Sequence, residues 1–216
     1  MNRQSIIISF SLFIMLFSVN HGNAQNFFFT PNASINKSFG DKDYWNLGFS
    51  VGANLFYSTP KIFSVGGRIA YNRMRPNGNE VLNVGDGPTF DYDVESTSGS
   101  LSIIEIVPSI QIATSTSDSD QDIRLSFQIG GGLFMLKQSD VYAKGTYTYP
   151  PGGMTSGSFT TTVNLSDDSK TKPGVQIGVD FSYKRKLMIQ PLFSLVFTDE
   201  NSTKYASICI GYILGK

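Results

Sequence analysis

Between positions 45 and 57 apolar side chains occupy every odd position: Trp45, Leu47, Phe49, Val51, Ala53, Leu55 and Tyr57. Asn46, Gly48, Ser50, Gly52, Asn54 and Phe56 fall between them. A period of two puts successive side chains on opposite faces of an extended chain and does not fit a helix. The apolar face carries at each end an aromatic ring with a polar handle, Trp45 and Tyr57. Twelve steps of ~3.3 Å span ~40 Å, or ~28 Å across a bilayer at a tilt near ~45°, which suits a transmembrane strand anchored at both interfaces.

The alternation returns along the chain, giving eight candidate strands over 27–37, 44–57, 62–74, 102–113, 123–136, 175–183, 187–197 and 205–214. No 3.6-residue periodicity competes after the first 24 residues. The fold expected is all-β: an eight-stranded antiparallel up-and-down transmembrane β-barrel. Connections 58–61 and 184–186 are short, whereas 75–101 and 138–174 are long and rich in Gly, Ser, Thr, Asp and Pro. Turns on one side and loops on the other are the habit of outer-membrane barrels. Segments 114–121 (long for a turn), 38–43 and 198–204 (short for loops) fit less well. Within the longest loop, 141–149 and 158–165 flank Pro150-Pro151-Gly152-Gly153 and read as a hairpin above the membrane; if it spans instead, the barrel has ten strands.

The polar face separates a membrane barrel from a soluble sheet. Water-facing strands carry Lys, Glu and Thr, but here the second face is mainly Gly, Ser, Asn and Gln, small enough for the crowded lumen of an eight-stranded barrel. Isolated charges of both signs lie on that face: Arg68, Glu105, Arg124 and Asp180. Buried charges persist when paired and hydrogen-bonded, so these four are expected to form a lumen network, with Gln111, Gln128, Gln176 and Gln190 as further partners; the alternative places some of them at strand ends in water. On the apolar face Trp45, Tyr57, Tyr71, Tyr183 and Tyr212 are candidates for the aromatic girdle. Pro31, Pro108 and Pro191 count against a continuous ladder and require bulges, strand ends or edge strands.

Composition changes the picture chiefly at the N-terminus. Arg3, an apolar run over 6–19 and Ala24 after Asn20-His21-Gly22-Asn23 read as a secretory signal peptide over 1–24, with an N-terminal membrane anchor as the alternative. That leaves 216 − 24 = 192 residues, one barrel domain over 25–216, with 16 basic against 17 acidic residues and no support for nucleic-acid binding. The only histidine, His21, lies in the leader, which removes His-dependent base catalysis and His-ligated metals from the exported chain. Cys209 is alone and forms no internal disulfide; it reads as a small strand residue or a free thiol.

Several segments together carry a likeness. They are Ser102-Ile103-Ile104-Glu105-Ile106-Val107-Pro108, Gly130-Gly131-Gly132, Lys172-Pro173-Gly174-Val175-Gln176-Ile177-Gly178-Val179 and Ile210-Gly211-Tyr212. The chain resembles, over its whole exported length, the small bacterial outer-membrane β-barrel superfamily, in particular the porin-like barrel domains of Bacteroidetes-type bacteria. The resemblance implies location in the outer membrane with both termini in the periplasm. The partners it implies are outer-membrane lipid, lipopolysaccharide and the barrel-assembly machinery. The assembly signal of such proteins ends on spaced aromatic or apolar residues; here the last residue is Lys216, so recognition rests on Tyr212 and Leu214.

Candidate chemistry is sparse. Asp118, Asp120 and Asp122 begin like a calcium loop, but Ile123 and Ile129 stand where Gly and an acidic residue are needed. Glu80, Asp86, Asp91, Asp93 and Glu95 make the second loop acidic, as a solvated loop or a cation bridge to lipopolysaccharide. Asn32 and Asn201 head glycosylation sequons of little weight in a bacterial chain. Tyr142, Tyr147 and Tyr149 cluster on the hairpin, for an extracellular ligand or for packing of the hairpin itself. No catalytic residue, cofactor or metal is indicated. The function expected is that of a non-enzymatic outer-membrane barrel, structural or engaged at the surface through loops 75–101 and 138–174. The alternatives are a small-solute porin and, behind it, a lipid-modifying barrel enzyme or a soluble periplasmic β-protein.

Overall fold

A computed structural model describes residues 27–39, 45–59, 62–77, 91–114, 122–149, 155–163, 169–198 and 202–214. The elements run β1 (Phe27–Phe39), β2 (Trp45–Ser58), β3 (Phe63–Pro76), β4 (Asp91–Ser98), β5 (Leu101–Ala113), β6 (Ile123–Gln138), β7 (Val141–Tyr149), β8 (Thr155–Val163), β9 (Lys170–Tyr183), β10 (Leu187–Val196) and β11 (Thr203–Tyr212). Eight of them close into a barrel in the order β1-β11-β10-β9-β6-β5-β3-β2, every pair antiparallel. Closure leaves no open edge, which hydrocarbon would not tolerate. The remaining three strands form a separate sheet, β4-β7-β8, so the ten-stranded alternative falls.

The two ends of the barrel differ. On the turn side lie Phe27, the tight β9–β10 turn and Leu214, which pairs with Phe29 beyond the end of β11. The turn closes with Lys186 N donating to Tyr183 O at 3.0 Å, and Lys184 and Arg185 take positive φ of 48° and 54°. On the loop side the β5–β6 pair continues upward into β4 and β7. Ser139 N donates to Ser100 O at 3.0 Å and Ser100 N donates to Ser139 Oγ at 2.7 Å, bridging the gap between the two sheets. The hairpin expected above the membrane is thus β7–β8, and part of the acidic loop is ordered as β4 against β7. β4 escapes a periodicity search because Asp91–Ser98 offers only Tyr92 and Val94 as apolar positions; its pairing with β7 makes it a strand. Glu80, Asp86, Asp118 and Asp120 lie outside the described residues.

The prolines are absorbed without a register change. The β5–β6 pairing runs to Ile106↔Leu133 and resumes at Ser109↔Gly130, skipping Pro108. The β9–β10 pairing likewise skips from Ile189 to Leu192 across Pro191. A proline has no N–H to give, so each ladder is interrupted locally while strands on the other side hold the register.

Candidate functional site: a filled lumen, an apolar belt and a loop-side sheet

The strand period sorts the barrel into two surfaces. Outward stand large aliphatic side chains, among them Ile35, Val51, Ile69, Ile129 and Ile208 at 66, 55, 62, 59 and 61 % exposure. A continuous exposed hydrocarbon surface of this kind is stable against lipid, not water. On β3 the apolar face runs from Phe63 to Tyr71 and ends at Arg73, a rise of ~25 Å at the usual strand tilt. At the turn-side rim, Phe27 packs on Tyr57 with ring centroids 4.9 Å apart, and Tyr183 and Tyr212 flank Leu187 across β9, β10 and β11. Lys184 Nζ stands 5.3 Å from the Tyr183 ring centroid. Tyr71 faces outward nearer the loop side, its hydroxyl 3.2 Å from Ser102 Oγ.

Trp45 is a correction. It is not on the outer girdle but 6 % exposed inside the loop-side end of the barrel. The β2–β3 register shifts by one between Trp45 and Gly48, and a one-residue slip moves a side chain to the opposite face.

The lumen is solid. Arg68 and Glu105, each 1 % exposed, form an ion pair with Nε to Oε2 at 3.2 Å. Arg68 Nη1 also donates to Asn32 Oδ1 at 2.9 Å. Glu105 accepts further from Asn72 Nδ2 at 2.6 Å, from Gln176 Nε2 at 3.2 Å and from the Tyr205 hydroxyl. A second chain of amides runs from Asn54 Nδ2 to Gln190 Oε1 (3.2 Å), from Gln190 Nε2 to Gln128 Oε1 (2.7 Å) and from Gln128 Nε2 to Ser109 Oγ (3.1 Å). Asp180 accepts from Gln111. Arg124 stands apart, which corrects the single four-charge network. It lies half-buried near the turn-side end, its Nε without a hydrogen-bond partner among the described residues. The register sets Arg124 beside Ser182 and Ser126 beside Asp180, so the two charges are diagonal rather than opposed. Towards the same end Phe28 stacks on Phe56, centroids 5.6 Å apart.

Toward the loop side the filling changes to hydrocarbon. Trp45, Met74, Leu101, Ile103, Val107, Phe134, Leu136, Val196 and Tyr205 form one buried cluster, joined from the loop sheet by Val141 and Ala143 of β7. Sequence reasoning missed this plug. Its signal was present in Leu101-Ser102-Ile103-Ile104 and Leu133-Phe134-Met135-Leu136, where apolar residues occupy both faces as they do in doubly buried strands. Cys209 is a fully buried lumen residue. Of the hairpin tyrosines, Tyr142 is exposed and Tyr147 half-buried; Tyr149 ends β7 in backbone pairing with Thr155.

Closure, belt and filled lumen define a transmembrane β-barrel of the outer-membrane type. No family model and no curated protein sequence matches the chain. Among solved structures it is similar to Ail, the attachment invasion locus protein of Yersinia pestis, at 13 % identity over 87 % of this chain and 97 % of that one, with a TM-score of 0.41. It is also similar to Neisserial surface protein A at 10 % identity over 90 % and 99 %, with a TM-score of 0.49. The N-terminal β-barrel domain of Pseudomonas aeruginosa OprF matches at 10 % identity over 89 % and 100 %, with a TM-score of 0.39.

Proposed function

We propose that this protein is a non-enzymatic barrel of the bacterial outer membrane, exported by a leader over residues 1–24, that works at the cell surface through the β4-β7-β8 sheet. The observation that carries the reading is the division of the molecule. The lumen is filled from the Asn54–Gln190–Gln128 chain up to the Trp45–Phe134 plug, while an ordered sheet stands beyond the plug. A filled eight-stranded lumen does not favour solute passage, which is why the porin reading ranks second. Among the described residues the lumen's polar groups are engaged mainly with one another rather than set as a nucleophile beside a base.

Both termini then face the periplasm, and Tyr142 and Tyr147 are the residues of the sheet suited to a ligand. An epitope inserted between Pro150 and Gly153 is expected to be reached by antibody on intact cells, and the purified protein in planar bilayers is expected to give no reproducible conductance steps. Steady single-channel steps would reverse the ranking in favour of a porin. An epitope accessible only after lysis would remove the surface role.

A further inference from the structure

The outer face of β3, β5 and β6 combines loop-side cations, which β1 and β11 also carry at Lys37 and Lys204, with a hydroxyl between them and a row containing two glycines lower down. The register sets Arg73 opposite Ser102 and Ser102 opposite Lys137, so two cations flank a hydroxyl in one row at the loop-side limit of the apolar belt. Arg73 and Lys137 are exposed, as is Arg75 above Arg73. The Tyr71 hydroxyl, 3.2 Å from Ser102 Oγ, adds a second neutral donor beneath the row. The outward positions below these cations on the three strands, such as Ile69, Ile104, Ile106, Ile129 and Leu133, carry no acidic residue.

Six positions nearer the turn side the same strands carry a second row. Gly67 is opposite Pro108, and the register that sets Ser109 against Gly130 puts Pro108 beside Gly131. These residues leave a notch in the apolar surface. A Cβ placed on Gly131 would approach only Gly174 O, at 3.8 Å, so the space outside it is open. At ~3.3 Å per residue and the usual tilt, the notch lies ~15 Å below the cations, within the acyl region.

Cations at the headgroup level above a recess at the chain level match a lipid with a phosphate head. We propose that this face holds one molecule of phosphorylated glycolipid, the lipid A part of lipopolysaccharide. One phosphate sits between Arg73 and Lys137, a second is within reach of Arg75, sugar hydroxyls meet Ser102 and Tyr71, and an acyl chain lies over Gly131. Two neighbouring phosphates and a sugar suit three cations and two hydroxyls better than the single phosphate of a glycerophospholipid does. The choice of glycolipid rests on the loop side facing outward, as proposed above; the site itself rests on the two rows.

Native mass spectrometry of the detergent-purified protein with added lipid A tests the site without reference to orientation. One bound lipid A is expected. The Arg73→Gln/Lys137→Gln variant should bind about 30-fold more weakly, from about 1 kcal/mol per cation near a charged surface. Gly131→Leu, which the open space accommodates, should also weaken binding. Lys184→Gln/Lys186→Gln at the turn side should bind like the parent. Heat-modifiable gel migration checks that each variant is folded. Equal binding of dephosphorylated lipid A or of phosphatidylglycerol, or equal losses in the loop-side and turn-side variants, would overturn the proposal. If lipid A binds as expected but the epitope at Pro150–Gly153 proves internal, the orientation fails while the site stands.

Discussion

The two halves of the lumen solve the same problem with opposite chemistry. Around Arg68, Glu105 and Gln176 the space is filled by hydrogen-bonded polar groups; around Trp45, Ile103 and Phe134 it is filled by hydrocarbon. Both are buried, yet they fail differently. A polar network loses most when one member is removed, because the groups left behind keep their desolvation cost. A hydrocarbon plug loses contact area and gains a cavity, a graded and local loss. The difference has a structural counterpart. The plug includes Val141 and Ala143, so it fastens the loop sheet to the barrel, whereas the network ties staves of the barrel to one another.

Glu105 sits where the halves meet, accepting from Arg68, Asn72 and Gln176 and also from Tyr205 of the plug. Glu105→Ala is therefore expected to give the largest effect, a loss of about 3–5 kcal/mol, because Arg68 remains buried without its counter-ion. The protein contains one tryptophan, Trp45, which reports on the plug by its emission, while far-UV circular dichroism reports on the whole barrel. Both probes should show urea unfolding in micelles at the same lowered midpoint. Arg68→Met with Glu105→Leu should recover most of the loss, since a buried pair replaced by apolar residues of similar volume is often neutral or better. If the double variant is no better than Glu105→Ala, the pair is needed for more than charge balance.

Phe134→Ala separates the halves. The ring is fully buried in the plug and also lies over Gly174, where a Cβ would come within 2.6 Å of it. Truncation is expected to cost about 3 kcal/mol. The loss should fall first on the loop side: the Trp45 signal moves to lower urea than the dichroism signal, and limited proteolysis cuts within β7–β8 sooner. Coincident shifts of both probes would mean that the lumen is one cooperative body and that the contrast between its halves has no energetic content.

The sequence made the barrel legible because membrane strands must show a clean face to lipid. The outer sides of β2, β3, β5, β6 and β10 are visible as alternation, and seven of the eight barrel strands begin within about two residues of the positions the pattern suggests. β9 is the exception: it begins at Lys170, ahead of its apolar alternation, because pairing with β6 (Phe134↔Lys172, Leu136↔Lys170) extends it. The lumen was less legible. Arg68 and Glu105 can be placed on the inner face by parity, but partner choice depends on registers no single strand contains. Gln111, rather than Arg124, meets Asp180. Trp45 misleads for a related reason, since its spacing is that of an outward residue and only the irregularity before Gly48 turns it inward.

The smallest expected effect lies at the turn side, away from both halves of the contrast. Lys184 and Arg185 hold positive φ in the β9–β10 turn, a conformation that costs residues with a Cβ roughly 1 kcal/mol and that Asn and Gly adopt readily. Lys184→Asn/Arg185→Gly should therefore raise the unfolding midpoint by an amount equivalent to about 0.5–1 kcal/mol, with glycine's added freedom in the unfolded chain offsetting part of the gain. The turn is tied to both strands by the Tyr183–Leu187 pair and by Lys186 N donating to Tyr183 O, so relief of strain there should be felt by the barrel as a whole. The Trp45 and dichroism probes should rise together, unlike their separation in Phe134→Ala. A rise seen by dichroism alone would show that the plug melts independently of the staves even in the intact protein. A fall would mean that the interaction of Lys184 with the Tyr183 ring outweighs the strain of the turn.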